Sequence, residues 1–475
     1  MAGFYANESC DPFLTPSARC VIGTYVQYSV RAESALDVQK TMNFTTTHRI
    51  RLVVRNTGHD YLGKSTGAGA LAIWTHHLKE IQFLDYHSPS YSGKAVKLGA
   101  GVQMIESNAA AHKQGLTIVG GNARSVGIAG GYSQGGGHGQ LVSQYGLAAD
   151  QVLEWEVVTG SGELLIATPH NEHADLWWAL SGGGGGTYGV VISMTSKVHP
   201  ELHTATANLT FSSVGSSQEA FYGAVQTFLN STLGHLLDAR GAAVWYIIDG
   251  IFEMTPITLP GGSKQRLQSI MRPLLSTLKQ GNISYTYHIQ DFPTWYSSFQ
   301  AMSPEVNVTE YNMGGRFIPR RVIDTQSETL VDQLKSIADA GAVISGISVN
   351  ASLLEQNQSS PSNAVNPTWR TAAIDIVVGK TLSRTNQTLN IQYQKDITNI
   401  LLPKLERLTP RGGAYLNEGD AHQPDWKYTF YNTNYDRLLQ VKNKYDPNMI
   451  FYATTAVGSD YWEESEDGAL CRAEV

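Results

Sequence analysis

Nine of the twenty residues from Gly120 to Gly139 are glycine, and this stretch limits the fold more than any other. Glycine loses more backbone freedom on ordering than any other residue, so a run this dense makes neither a regular helix nor a strand. A flexible linker would explain the glycines alone. Here they are interleaved with Val126, Ile128, Ala129 and Tyr132, which are residues that pack. A packed, glycine-dense backbone is found where another backbone or a ligand must come very close. The rest of the chain must therefore supply rigid walls around a loop of nearly bare main chain.

The chain is long enough to do so. Its 475 residues allow two or three domains at roughly 100–200 residues each. A hydrophobic content of 42% with 16% charged residues describes a large core. Before the glycine stretch, the pattern predicts a strand over 21–28, a helix over 33–44 on Ala35, Leu36, Val38 and Met42, and strands over 50–54, 71–74 and 95–99. A polar connection covers 76–92, and a helix over 103–114 ends at Gly115. This order predicts an α+β domain with a mixed sheet. No Gly-x-Gly-x-x-Gly follows a first strand, which argues against a doubly wound dinucleotide fold. After the strand over 50–54 comes Arg55-Asn56-Thr57-Gly58-His59-Asp60-Tyr61-Leu62-Gly63. Gly58 lets the backbone turn there, and successive N–H groups in such a turn form an anion site suited to a diphosphate. Downstream lie Tyr145-Gly146-Leu147-Ala148-Ala149-Asp150, a strand over 152–158 with a hairpin at 160–162, and Asp175–Leu180 running into Gly182–Gly186.

Several classes are excluded. A net charge of −7 argues against nucleic acid and anionic membranes as partners. No apolar run reaches the roughly 18 residues of a membrane helix. There is no metal-ligand spacing, nucleophile elbow or Gly-Lys-Ser/Thr phosphate loop. Cys10 and Cys20 flank a short proline-containing loop and are expected to form a disulfide, with Cys471 free. Nine Asn-x-Ser/Thr sequons, at Asn7, Asn43, Asn208, Asn230, Asn282, Asn307, Asn350, Asn357 and Asn386, exceed the roughly four expected by chance and favour a secreted glycoprotein. The chain opens Met1-Ala2-Gly3-Phe4 with no apolar leader, so either a leader has been replaced by a start Met or the chain is not exported.

The His59 turn, the 120–139 loop, Tyr145–Asp150 and Leu180–Val191, in this order, resemble the FAD-binding domain of the vanillyl-alcohol oxidase superfamily, in its fungal berberine-bridge-enzyme-like branch. The C-terminus agrees through Asn434–Leu438, Val441–Pro447, Phe451-Tyr452 and Val457–Trp462, and the N-terminus through Cys10–Phe13. The resemblance implies an α+β fold. An N-terminal segment (1–20) precedes an FAD-binding domain of two subdomains (21–205), which is completed by a returning C-terminal part (411–475). An α+β substrate domain with an antiparallel sheet (206–410) lies between them. It implies FAD held by Arg55, Asn56, Thr57, Gly58, His59, Asp60, Val126, Gly127, Gly130, Gly131, Tyr132, Gly137, Tyr145, Gly146, Val191, Asn434 and Tyr435. His59 matches the histidine that bonds to the flavin ring and raises its reduction potential. Ala123 stands where doubly linked relatives carry a cysteine, so one covalent arm is expected. Val126 matches a position where valine goes with oxygen access, which favours an oxidase over a dehydrogenase.

The middle of the chain is expected to form strands over 209–211, 243–248, 283–287 and 372–378 and helices over 218–229, 264–278 and 327–340, giving an antiparallel sheet covered on one side. Period two in the last strand puts Ala372, Ile374, Ile376 and Val378 on one face, and Ala373, Asp375 and Val377 on the other. A charge in an apolar strand is costly unless paired or wet, so Asp375 is expected to face a cavity. Tyr415-Leu416-Asn417-Glu418-Gly419-Asp420 resembles the family's Tyr-x-Asn-Tyr-x-Asp strand, with Glu418 in place of the second tyrosine. Glu418, Asp375 and Tyr415 are the candidate catalytic residues, either carboxylate serving as base if its environment raises its pKa. Tyr132, Tyr415 and Trp295 are candidates to stack on substrate. The expected activity is removal of hydride from an alcohol or carbohydrate carbon of a small molecule by a monomeric oxidase, with electrons passing to oxygen as hydrogen peroxide. The alternatives are a secondary-metabolite oxidase or cyclase and a redox-neutral catalyst on the same fold. A polar, aromatic-edged cleft would favour sugar; a deep apolar one, a metabolite.

Overall fold

The computed structural model describes residues 15–19, 22–305, 310–352, 362–383, 385–465 and 468–473. The Cys10–Cys20 pair, the Cys10–Phe13 motif and the sequons at Asn7, Asn307 and Asn357 lie outside them. Cys471 is exposed and free. Among the described residues, no helix is long and apolar enough to cross a membrane.

Three sheets carry the fold. The first is parallel, in the order β1 (Tyr28–Arg31), β3 (Leu71–Trp74), β2 (Leu52–Arg55). Its covering helix α1 (Ala35–His48) starts at Ser34, whose side chain accepts from the Asp37 N–H, and stops where Arg49 turns left-handed at φ 54°. The second is antiparallel, built from β4 (Ile81–Ser88), β5 (Tyr91–Gly99), β6 (Val152–Thr159), β7 (Leu164–Ala167) and β8 (Gly189–Lys197) in the order β4-β5-β8-β6-β7. The expected strand over 21–28 begins only at Tyr28, because a turn at Gly23–Thr24 precedes it. The expected polar connection over 76–92 contains β4. There Ile81 and Phe83 pack inward while Gln82 faces out, so the strand is half polar by design.

The third sheet has seven antiparallel strands: β9 (Thr204–Ser212), β10 (Ala242–Ile248), β11 (Ile251–Pro260), β12 (Tyr285–Phe292), β13 (Tyr311–Pro319), β14 (Val343–Ser348) and β15 (Ala372–Thr381). Their order is β12-β9-β11-β10-β14-β15-β13. One face packs against helices α2 (Gln218–Thr227), α3 (Lys264–Gln280) and α4 (Arg320–Asp339) in a core that includes Phe221, Met271, Leu334, Trp245, Ile374, Ile376 and Val378. Trp245 is fully buried there; its loss to Ala would cost about 3–5 kcal/mol. The other face is open and lines a cavity. The expected split of β15 holds from Ile374 onward and fails before it. Pairing slips between Ile318 and Pro319, leaving Ala373 without a partner on β13. Ala373 therefore joins the helix-side core, and Ala372 joins a separate cluster with Val377 and Trp369.

A second large core joins residues 32–198 to Ala364 and to 414–457. Helix α5 (Tyr435–Tyr445) brings the C-terminal part in. Its buried Lys442 donates to Asp446 (2.8 Å), to the Thr187 carbonyl (2.9 Å) and to the Phe451 carbonyl (2.9 Å). Thr187 and Phe451 both line the cavity, so this one ammonium positions two of its walls.

Candidate active site

A cavity of about 580 Å³ runs from β2 and the Phe451–Ala453 segment to the open face of the seven-stranded sheet. That volume lies in the range of roughly 300–1,000 Å³ usual for cofactor and ligand sites. Asn56, Thr57, Gly58, His59, Asp60, Val126, Gly127, Gly130, Gly131, Tyr132 and Val191 line it. Gly58 turns at φ +83°, as the motif requires. Gly139 approaches Gly120 so closely that a Cβ would sit 2.0 Å from its carbonyl oxygen, so the glycine loop folds back on its own backbone. His59 is half-buried, and its Nε2 lies 2.7 Å from Ser125 Oγ. Burial holds its pKa below the usual histidine range, which favours the neutral, nucleophilic imidazole.

The walls suit a polar heteroaromatic cofactor such as FAD. Asn56 Oδ1, Asn122 Oδ1, Gln134 Oε1 and His138 Nδ1 are buried without protein partners, on residues that line the cavity. A Cβ built on Gly131 meets nothing within 4 Å, so the wall is flat main chain there. Not every expected cofactor contact lies on this wall. The Arg55 guanidinium covers the Gly58 backbone from the side. The Gly137 N–H donates to the Tyr415 hydroxyl (3.2 Å). Tyr145 stacks on His199 at 3.8 Å, and Gly146 turns against Asp150. Asn434 donates to the Ala364 and Val365 carbonyls, and the Tyr435 hydroxyl is shared between Asp460 and the Gly458 N–H. These residues are engaged with protein groups and act on the walls behind the cavity lining.

At the sheet end the chain assembles a cluster that spans 280 positions of sequence. His138 Nε2 lies 3.0 Å from Glu418 Oε1, and one donor atom each of His138, Asp375 and Glu418 fall within 4.8 Å of one another. Glu418 and His138 line the cavity; Asp375, expected to face it, does not. Asp375 is fully buried, and neither carboxylate oxygen has a hydrogen-bond partner. Desolvation, with the nearby Glu418 charge, raises its pKa well above the ordinary value, and His138 pulls the other way. The neutral acid is thereby favoured. For His138, burial acts to lower the pKa, but the Glu418 carboxylate outweighs it through its charge and its hydrogen bond, and the net shift is upward.

Residues 414–420 form a turn, closed by the Glu418 N–H to the Tyr415 carbonyl (3.0 Å), where the motif suggests a strand. Tyr415 lines the cavity, but its hydroxyl accepts from Gly137 N–H and from Asn417 Nδ2 (2.7 Å). Asn417 also donates to the Gly131 carbonyl (2.8 Å). This turn therefore grips the glycine loop on either side of Tyr132, whose own hydroxyl donates to the His138 carbonyl (3.0 Å). Trp295 does not reach the cavity; it stacks on Phe299 at 5.1 Å in a separate cluster. His138 is the member of this cluster that sequence reasoning missed. Its signal was a lone histidine between two glycines of a packed loop. The sheet-side lining is mixed: Val244, Ile248, Met313, Val343, Ile347 and Val377 lie with Tyr246, Tyr311, Thr255 and Ser345 and with the carboxylates Glu253, Glu305 and Glu310.

Comparison with known proteins agrees with this geometry. A family model described as an FAD binding domain matches residues 26–168, and one described as berberine and berberine like matches residues 414–458. The chain is 46% identical to the FAD-linked oxidoreductase sor8 of Hypocrea jecorina, over 99% of this chain and 81% of that protein. It is 40% identical to the bifunctional decalin synthase calF of Penicillium decumbens, over 98% of this chain and 82% of that protein. The fold matches the crystal structure of the VAO-type flavoprotein MtVAO615 from Myceliophthora thermophila C1 with a TM-score of 0.93 and 37% identity, covering 99% of this chain and 86% of that one.

Proposed function

The chain belongs to the berberine-bridge-enzyme-like FAD-linked oxidoreductases of the vanillyl-alcohol oxidase type, and from that premise we propose that it is an oxidase of an apolar, hydroxyl-bearing metabolite. The observation that carries the reading is the Glu418–His138–Asp375 cluster, whose Glu418 and His138 share one cavity with the His59 turn and with an aliphatic strip of Val244, Ile248, Met313, Val343, Ile347 and Val377. FAD held there would supply a two-electron acceptor, with molecular oxygen as the final acceptor that becomes hydrogen peroxide.

The chain's own residues do the rest. The aliphatic strip takes the apolar part of the substrate, and the polar side chains of the same wall, Tyr246, Tyr311 and Ser345 among them, take its polar groups. Glu418, at the cavity surface, accepts the substrate hydroxyl proton as the adjacent carbon gives up its hydride. His138 orients that carboxylate through the 3.0 Å hydrogen bond and steadies its charge. Asp375, held neutral, lets His138 and Glu418 carry the charge of the cluster without adding another. Tyr415 keeps the glycine loop in register with the Glu418 turn. His59, its ring held by the 2.7 Å contact between Nε2 and Ser125 Oγ, provides the single covalent link, and Ala123 offers no second one. Val126 on the cavity wall leaves room for oxygen. The functional division is 21–205 with 411–475 around the substrate-binding 206–410. Secretion with glycans at the exposed Asn43, Asn230, Asn282 and Asn386 accompanies this reading.

The test offers the holoenzyme a panel of apolar ring alcohols and a panel of oligosaccharides, and reads bleaching of the flavin absorbance and peroxide release. Bleaching by apolar alcohols with peroxide on re-aeration is expected. Bleaching by oligosaccharides alone would overturn the substrate class, and bleaching without peroxide would overturn the oxidase. A second reading, oxidation that sets off ring closure, is favoured by the relationship to the decalin synthase. Product mass two units below substrate with a new ring would select it.

A further inference from the structure

On the open face of the seven-stranded sheet, strand register puts three cavity-lining polar side chains in one row. Directly paired residues of an antiparallel sheet point to the same face. Gly315 on β13 pairs with Val377 on β15, Val377 with Ser345 on β14, Ser345 with Tyr246 on β10, and Tyr246 with Glu253 on β11. The row starts at the cluster, because Glu418 packs on Gly315: a Cβ there would sit 2.6 Å from the Glu418 carbonyl oxygen. Val377, Ser345, Tyr246 and Glu253 all line the cavity. Beyond Asp375 the flanking rows are apolar. One runs from Asp375 through Ile347 to Val244, the other from Met313 through Gly379 to Val343. Glu253 lies three strands from Val377, which is about 14 Å across the sheet at the usual strand spacing.

Glu253 is half-buried, and its carboxylate has no hydrogen bond or ion pair with any described residue. Among the described residues, no arginine lines the cavity, and its one lysine, Lys64, is on the His59 turn. Glu305 and Glu310 line the cavity as well, so this wall disfavours an anionic group. A carboxylate makes stronger hydrogen bonds than a neutral acceptor. A site built around such an acceptor rejects a ligand that lacks the donor, because the acceptor is then left unpaired.

We propose that Glu253 determines specificity for the far end of the substrate, accepting a hydrogen bond from a hydroxyl or an ammonium group, with Ser345 and Tyr246 giving the substrate's polar substituents a track between the two apolar rows. This rests on the reading of Glu418 as the group that meets the reacting hydroxyl. The substrate is then an elongated molecule with a polar group at each end and an apolar body between them.

The test measures binding by titration calorimetry in the holoenzyme carrying Glu418→Gln, so that turnover does not intervene. The probes are ring alcohols with an alkyl tail of increasing length that ends in methyl, hydroxyl or ammonium. At one tail length, hydroxyl or ammonium is expected to bind about tenfold or more tightly than methyl, as a hydrogen bond to a charged group allows. Adding Glu253→Leu is expected to abolish that preference. Adding Glu253→Gln instead separates the two donors, since an amide still accepts from a hydroxyl but no longer attracts an ammonium. Should the Leu variant not fold, Glu253→Ala is expected to show the same loss. Equal affinity for the three tails at every length, a preference that survives Glu253→Leu, or no binding by any probe would overturn the inference. Turnover by Glu418→Gln at the wild-type rate would overturn the base assignment instead, without touching the tail preference.

Discussion

Exchanging Glu418 for Gln removes the proposed base and leaves its shape. The amide keeps the reach to His138 Nε2, 3.0 Å away in the native cluster, but cannot take a proton. A positioned general base contributes about 10²- to 10⁴-fold in rate, which is about 2.7–5.5 kcal/mol of barrier. His138 acts on the base through one hydrogen bond to a charged group, worth about 1.5–3 kcal/mol or roughly 10- to 150-fold. Asp375 touches neither cavity nor substrate and is held neutral, so Asp375→Asn replaces one uncharged group by another. The expected order of damage is therefore Glu418→Gln, then His138→Asn, then Asp375→Asn. Anaerobic stopped-flow reduction at saturating and limiting substrate separates the cases. Loss of the base lowers the limiting rate and the second-order constant together, whereas loss of binding lowers only the second. Glu418→Gln should also lower the His138 pKa, because burial pushes it down and the Glu418 carboxylate is what chiefly holds it up. A Glu418→Gln enzyme as fast as wild type, or a His138→Asn enzyme slower than Glu418→Gln, refutes the assignment.

The remaining expectations concern attachment, stability and oxygen. Acid precipitation of the wild type should give a yellow pellet and that of His59→Ala a colourless one, with Ser125→Ala intermediate because the 2.7 Å contact that orients the ring is gone. Asp375 has a folded pKa above its ordinary 3.8. Its contribution to stability is thus fully present below that value and is lost as pH rises toward and through the folded one. Denaturant melts from pH 4 to 8 should show wild type losing stability relative to Asp375→Asn; parallel curves would contradict the shift. Lys442→Met leaves Asp446 buried without its cation, a change that costs about 3–5 kcal/mol. The low end is expected, since Asp446 still accepts from the Ile450 and Phe451 N–H groups, and urea unfolding measures it. Val126→Leu should slow reoxidation by oxygen and leave the anaerobic reductive rate unchanged; equal loss in both half-reactions would place Val126 in packing only.

What was legible in the sequence was local or broke a pattern. The His59 turn and the glycine loop are contiguous motifs, and residues of both line one cavity. Asp375 was legible because a carboxylate in an apolar strand has to be accounted for. Its place behind the cavity wall was not, because that depends on His138 and Glu418 covering it. His138 was invisible as a functional residue for the same reason: its partner lies 280 residues away. Strand β13 was missed because it carries Asn312 and Arg316. Both are buried; Asn312 Nδ2 donates to the Asn390 carbonyl and Arg316 donates to Thr409, partners from outside the strand. A polar residue in a core reads as a loop until its partners are known.

The glutamate in place of the family's second tyrosine then follows from the surroundings. Tyr61, Tyr132, Tyr246 and Tyr415 all feel the Glu418 charge, and each phenol is pushed upward, first by burial and also by that charge; Tyr246 reaches about 12. In such a setting a phenol stays protonated at neutral pH and serves as a donor or a strut. Tyr415 does the latter, holding the glycine loop through Gly137 while Asn417 holds Gly131. In the proposed role Glu418 pairs with His138 at 3.0 Å, and Asp375, favoured as the neutral acid by burial, keeps a second negative charge out of the same small volume.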